Sequence, residues 1–184
     1  MRNPNEKTYP DCSFISRTIE VGGLPKGELI EKLHQSSILI NEYGKRLLAD
    51  DQFTTSKTKY CLETVELTIG NLGFPEGATT DQIFKRAKEL GLELCPIELG
   101  PYLRLQYLDQ PEELSGNPLQ KHQAPSGSIT IASEKLTDDD DFPKGFYLRR
   151  INGVFWLRGY LADHLHVWNP EDHFIFGRSE KSSR

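Results

Sequence analysis

The spacing of apolar positions changes character along the chain. Between residues 21 and 55, Leu29, Ile30 and Leu33 follow Pro25 at helical spacing. Proline suits the first turn of a helix, where its missing N–H would have no partner. An extended step at Ile38–Ile40 leads to Asn41, whose side chain can accept from free N–H groups at a helix start. A second helix then carries Tyr43, Leu47 and Leu48 and ends near Asp50–Asp51. The pattern predicts a helix–extended–helix unit.

Beyond residue 60 the period shortens. Val65, Leu67 and Ile69 alternate with Thr64, Glu66 and Thr68, the signature of a half-buried strand. Gly73, Pro75 and Gly77 break the chain. Thr79 and Gln82 then form a capping-box pair, ahead of a helix with Ile83, Phe84, Ala87 and Leu90 on one face and Gly91 as its stop. In YLRLQYL, Leu103, Leu105 and Tyr107 alternate with Arg104 and Gln106, which reads as a strand. A Pro/Gly/Ser-rich connection over residues 111–128 is the longest loop candidate, and SITIAS is a short strand. KGFYLRRINGVFWLRGY reads as a β-hairpin turning at Asn152-Gly153, and HFIFGR as a last strand.

Helices first and strands later favour an α+β fold, with N-terminal helices packed on a mostly antiparallel sheet built by residues 62–176. The expected organisation is a flexible lead-in at 1–20 and one α+β domain at 21–178. That domain comprises a helical part (21–55) and a sheet-rich part (56–178), followed by a tail at 179–184.

Composition narrows the picture. Hydrophobic residues make up 36% and charged residues 27% of the 184, enough for a core and too apolar for a wholly disordered chain. The formal charge of −5 opposes non-specific binding to a phosphate backbone, so nucleic acid is not an expected partner. The three cysteines, Cys12, Cys61 and Cys95, are too far apart for a C-x-x-C pair. They read as reduced thiols of a cytoplasmic protein. The polar start MRNPNEKTYPDC has no apolar run of the kind a signal peptide carries, and no run approaches the roughly 18 apolar residues that span a bilayer, so neither export nor membrane insertion is expected.

Several chemistries are excluded by motif. There is no G-x-x-x-x-G-K-[ST] loop, no G-x-G-x-x-G after a strand and no G-x-S-x-G elbow. Asp138–Asp141 lack the interrupted spacing that arranges oxygens round calcium and read as a solvated loop. Two clusters remain. Asp163, His164, His166 and His173 crowd into ADHLHVWNPEDHF. On an extended segment His164 and His166 share a side, as two imidazole ligands of one metal must, and Asp172 or His173 could supply a third from the following turn. The same residues would also suit a polar surface loop. The second cluster is cationic. Arg104 and Gln106 share one polar face, Asp109 follows them, and Arg149, Arg150 and Arg158 lie on the arms of the hairpin. Guanidinium groups on neighbouring strands could grip a carboxylate or phosphate bidentately, or could simply solubilise the outer face of the sheet.

The strings GFPEGATTDQIFKRAKELGLELCPIELGPYLRLQYLDQPE, DDDFPKGFYLRRINGVFWLRGY and HVWNPEDHFIF together resemble a family of small bacterial proteins of uncharacterised activity. The similarity runs from about residue 20 to 178, and LGPYLRLQYLDQP is its most distinctive part. The resemblance implies a bacterial cytoplasmic origin and a single integrated fold, and it brings no catalytic residue.

The leading expectation is a non-enzymatic binding protein that needs no cofactor. Its polar pocket, centred on Arg104, Gln106, Asp109 and Arg158, would take an anionic small molecule or peptide. The alternatives are a metal-assisted hydrolase using His164, His166 and Asp163 or Asp172, and a nucleic-acid regulator acting through the N-terminal helices. Sequence leaves the oligomeric state open.

Overall fold

A computed structural model describes residues 14–112 and 127–178. Most of the expected lead-in, most of the 111–128 connection, the tail and Cys12 lie outside those residues. In chain order the elements are β1 (Ile15–Val21), α1 (Lys26–Gln35), β2 (Leu39–Ile40), α2 (Glu42–Ala49) and β3 (Tyr60–Thr68). A 3-10 turn at Gly70–Leu72 leads to β4 (Ala78–Thr79), α3 (Thr80–Glu89), β5 (Leu92–Glu93) and α4 (Leu99–Gln106). The rest is β6 (Ile129–Ile131), β7 (Gly145–Ile151), β8 (Val154–Tyr160), β9 (Val167–Trp168) and β10 (His173–Arg178). Among the described residues, four helices with a large, mostly antiparallel sheet give the α+β class.

The main sheet runs β1-β3-β10-β6-β7-β8-β2, with β5 on the flank of β10, and β4 and β9 form a separate pair. Two neighbours, β10–β6 and β2–β8, are parallel. Two expectations are corrected here. The lead-in is strand by Ile15, because β1 pairs with β3 along its whole length from Ile15↔Glu66 to Val21↔Tyr60. The sheet is therefore not confined to residues 62–176, and β2 also joins it from inside the helical unit.

Local chemistry explains the elements that were read correctly. Asn41 caps α2, its Oδ1 accepting from Gly44 N at 2.8 Å. Thr79 and Gln82 close both halves of the capping box on α3, and Gly91 leaves that helix at φ 81°. Asn152 and Gly153 take φ values of 50° and 77°, the double positive turn that matches strand twist in a two-residue hairpin.

The helical reading of α1 is shifted slightly. Pro25 stands just before the helix, and its carbonyl accepts from Leu29 N at 3.0 Å.

Strand alternation divides the buried residues into two cores. Leu148, Leu157, Ile129 and Ile175 gather with Leu29, Leu33, Leu47, Leu99 and Leu103. The opposite sides of β3 and β10 supply Val65, Leu67, Phe174 and Phe176, which gather with Ile83 and Ala87 of α3, Trp168 and Tyr160. Each fully buried Leu or Phe removes enough apolar surface from water to contribute about 2 kcal/mol. The second core positions α3, and with it the cavity described next.

Candidate functional site

Arg104, the centre of the expected pocket, is inside the protein. The LRLQY segment is α4, a helix rather than a strand, and Arg104 has no exposed surface. Five alternating residues satisfy both periods, because Leu99, Tyr102, Leu103 and Gln106 also recur at helical spacing. Pro101 falls in the first turn, where it removes no hydrogen bond. Gly100 lets the helix close on Phe146, since a Cβ there would sit 2.5 Å from the ring.

The Arg104 guanidinium is spent on three main-chain carbonyls and the side chain of Gln110. Its Nη1 donates to Gln110 Oε1 at 2.6 Å and to the carbonyls of Arg149 and Trp156 at 3.3 Å each, and Nη2 donates to Tyr107 O at 2.5 Å. It also lies 4.6 Å from the centre of the Phe155 ring. Burial, with Arg150 nearby, lowers its pKa to about 10, which still leaves it charged at neutral pH. Its role is to satisfy carbonyl groups at the junction of α4 with β7 and β8.

The other members of the expected pocket are dispersed. Gln106 clasps β1, accepting from Glu20 N at 3.0 Å and donating to Glu20 O at 2.7 Å. Asp109 is exposed. Arg158 pairs across the hairpin with Tyr147, so it points to the side of the sheet opposite Phe155 and Leu157. Arg104 and Arg158 therefore occupy different faces, and no single pocket unites the four residues. The register that separates them is invisible in a sequence whose α4 reads as a strand.

The proposed metal ligands are not assembled either. Among the described residues no group of three His, Cys, Asp or Glu side chains is placed to hold an ion. His166 stands edge-on to Trp168, with ring centres 4.7 Å apart. Asp172 is buried and its Oδ2 accepts from Asn169 N at 2.9 Å, a turn-closing bond. Desolvation raises its pKa, with that N–H acting in the opposite direction. On the helical unit, Lys26 donates to Asp50 O, Lys45 pairs with Glu42, and Arg46 donates to Asp141 O. Those cations are engaged within the protein rather than turned to a duplex.

The structure does contain a cavity, of about 710 Å³, between α3 and the end of β8. Phe84 and Ala87 of α3, Leu92, Leu94 and Ala162 make apolar walls. Tyr160 and Ser133 lie at the base, and Gly145 separates them: a Cβ at Gly145 would stand 3.1 Å from Ser133 Oγ and 3.3 Å from the Tyr160 hydroxyl. Ser133 Oγ is buried without a hydrogen-bond partner. The Tyr160 hydroxyl has no partner among the described residues, and burial raises its pKa, which keeps it protonated. The rim is mixed in charge, with Lys85, Lys88, Lys135 and Lys144 beside Asp81, Glu93, Glu134, Asp140 and Asp163. Of these lysines, Lys135 pairs with Asp138 at 2.9 Å and Lys144 donates to Asp139 O at 2.7 Å.

Trp168 Nε1 donates to Thr80 Oγ1 at 2.9 Å, fastening the segment after β8 to the start of α3. His164 is the one histidine of the expected cluster that reaches this cavity. Sequence reasoning missed Tyr160, Ser133 and the α3 wall as a site, because no short motif joins them.

No protein-family model matches this chain, and neither a curated protein nor a solved structure shows significant similarity to it.

Proposed function

We propose that the protein is a small-molecule-binding protein whose ligand occupies the cavity between α3 and Tyr160. The ligand is amphipathic. Its apolar body lies against Phe84, Leu92, Leu94 and Ala162, and its polar end meets the Tyr160 hydroxyl and the charged rim. A cavity of about 710 Å³ is within the range that takes a cofactor-sized or drug-sized molecule. One observation carries the reading: a tyrosine hydroxyl at the base of an apolar cleft with no protein partner among the described residues. A buried hydroxyl normally finds a partner, and a ligand group would supply it.

The expected anionic character of the ligand moves with the site. Lys85 and Lys88 lie one turn apart on α3 and offer a carboxylate two ammonium groups, while the carboxylates of the rim would select against a polyanion. A monoanion or zwitterion fits this balance best. The test is a thermal-shift screen of amphipathic carboxylates and amino-acid derivatives against the intact chain, since ligand bound only to the native state raises the unfolding temperature. Hits should lose their effect in Ala162→Trp, which fills the cavity. They should weaken about tenfold in Tyr160→Phe, which removes only the hydroxyl. Hits that stabilise both variants as well as the parent would reject the reading.

A further inference from the structure

The face of the β7–β8 hairpin that bears Tyr147 and Arg158 carries chemistry that the cavity does not use. Residues 145–160 contain three arginines and no acidic residue, in a chain whose net charge is −5. Tyr147 and Arg158 are paired across the two strands, as are Arg149 and Trp156. Paired residues project to the same side, so these four form one patch.

At its centre the Arg158 guanidinium lies 5.1 Å from the Trp156 ring centre and 5.8 Å from that of Tyr147. Stacking of this kind fixes the plane of the fork and leaves its N–H donors unspent. Arg158 Nε is buried without a hydrogen-bond partner, and the residue as a whole is partly exposed. Among the described residues, no carboxylate forms an ion pair with Arg158. The Tyr147 hydroxyl and the Trp156 indole N–H likewise make no hydrogen bond there.

The contrast with the other tryptophan is direct, because Trp168 gives its N–H to Thr80. Around Arg158 the patch therefore offers a charged planar fork, an indole N–H and a phenolic O–H, with no acid paired to that fork among the described residues. Charge-assisted donors without a competing acceptor suit a group with several anionic oxygens.

We infer that Arg158, with Trp156 and Tyr147 beside it, is a binding site for the phosphate group of a small phosphate-bearing molecule. The fork takes two phosphate oxygens, and the indole N–H supplies a third contact. None of these three residues lines the cavity at α3, so either assignment can fail without the other.

The chain holds two tryptophans, one N–H satisfied inside and one open on the patch, and this supplies an internal control. Inorganic tripolyphosphate and thymidine monophosphate are titrated into the intact protein while both indole N–H signals are followed by NMR. The Trp156 signal should move saturably and the Trp168 signal should stay fixed. Arg158→Gln should weaken both probes by about tenfold or more, with the unchanged Trp168 signal reporting that the fold is intact. Arg158→Lys, which keeps charge but loses the fork, should fall between the two. A Trp156 signal that ignores both phosphates overturns the assignment. Thymidine acting as strongly as its monophosphate overturns it too, since stacking alone would then be at work. Binding of only a long oligonucleotide, with steep salt dependence, would replace it with an extended strand surface.

Discussion

Arg104 Nη1 donates to the side-chain oxygen of Gln110 at 2.6 Å, and neither residue has any exposed surface. Gln110 completes the link, its Nε2 donating to Gly127 O at 3.0 Å and to Leu148 O at 2.9 Å. A charged side chain and an amide thus replace sheet hydrogen bonds where α4 ends against β7. Replacing Arg104 by Met should destabilise the protein by about 3 kcal/mol or more, because three carbonyl groups and the Gln110 amide oxygen lose a donor in a dry site. The free energy of unfolding in urea measures this. A change under about 1 kcal/mol would show the guanidinium to be dispensable.

Asn41 and Gly159 make the corresponding joint for α2. The Asn41 amide donates to Gly159 O at 3.1 Å and its oxygen accepts from Gly159 N at 2.8 Å, so a side chain stands in for a strand partner. A Cβ on Gly159 would lie 2.6 Å from the Tyr43 carbonyl carbon and 2.7 Å from Gly44 N. Gly159→Ala should therefore cost more than Asn41→Ala, since backbone must move in the first and only hydrogen bonds are lost in the second. Thermal unfolding of the two variants side by side would reveal the order, and the reverse order would contradict the close approach.

The cysteines should differ in reactivity. Cys95 is 3% exposed and burial pushes its thiol pKa up, whereas Cys61 is exposed. Thiolate is the reactive form, so Cys61 should label rapidly with a thiol reagent and Cys95 only after unfolding. Peptide mapping after brief alkylation reads this out. Early label on Cys95 would disprove its burial beside Ile175.

Asp172 gives a pH dependence whose sign is fixed. Its folded-state pKa is raised by desolvation, so between the ordinary aspartate value and the raised one the native state holds more protons than the unfolded chain. Stability contributed by this group is thus highest at low pH and falls as pH rises through that interval. Asp172→Asn keeps an oxygen for the Asn169 N–H and removes the penalty. The variant should gain melting temperature relative to the parent at neutral pH, with the gain shrinking on acidification. A gain that grows as pH drops would refute the assignment.

Much of the architecture was legible because it is written locally. β3 shows its period in Val65, Leu67 and Ile69, α3 announces itself with Thr79 and Gln82, and the hairpin with Asn152-Gly153. α4 was misread for a physical reason. A short run that buries nearly every side chain carries no polar face to reveal its period, and even its arginine is inside. β1 was missed because its first residues, including Ile15, are exposed at a sheet edge and show little alternation.

The site was hidden by distance. Thr80 and Tyr160 bound one cavity although 80 positions separate them in the chain, and what unites them is a helix packed on a sheet rather than a motif. The expectation of arginines on the sheet was right for Arg158 and wrong for Arg104. Which face a residue takes depends on the register and on the element type, and the second was misassigned.

The central claim, that the cavity beneath α3 receives a small amphipathic molecule, is tested most directly by methyl NMR on the intact chain. The best hit of the thermal-shift screen is titrated while the methyl signals of Ala87, Leu92, Leu94 and Ala162 are followed against those of Leu29, Leu47 and Leu157 in the other core. The account predicts that the first set shifts together with one saturation curve and that the second stays still. Shifts confined to the second set, or scattered over both without a common curve, would contradict it.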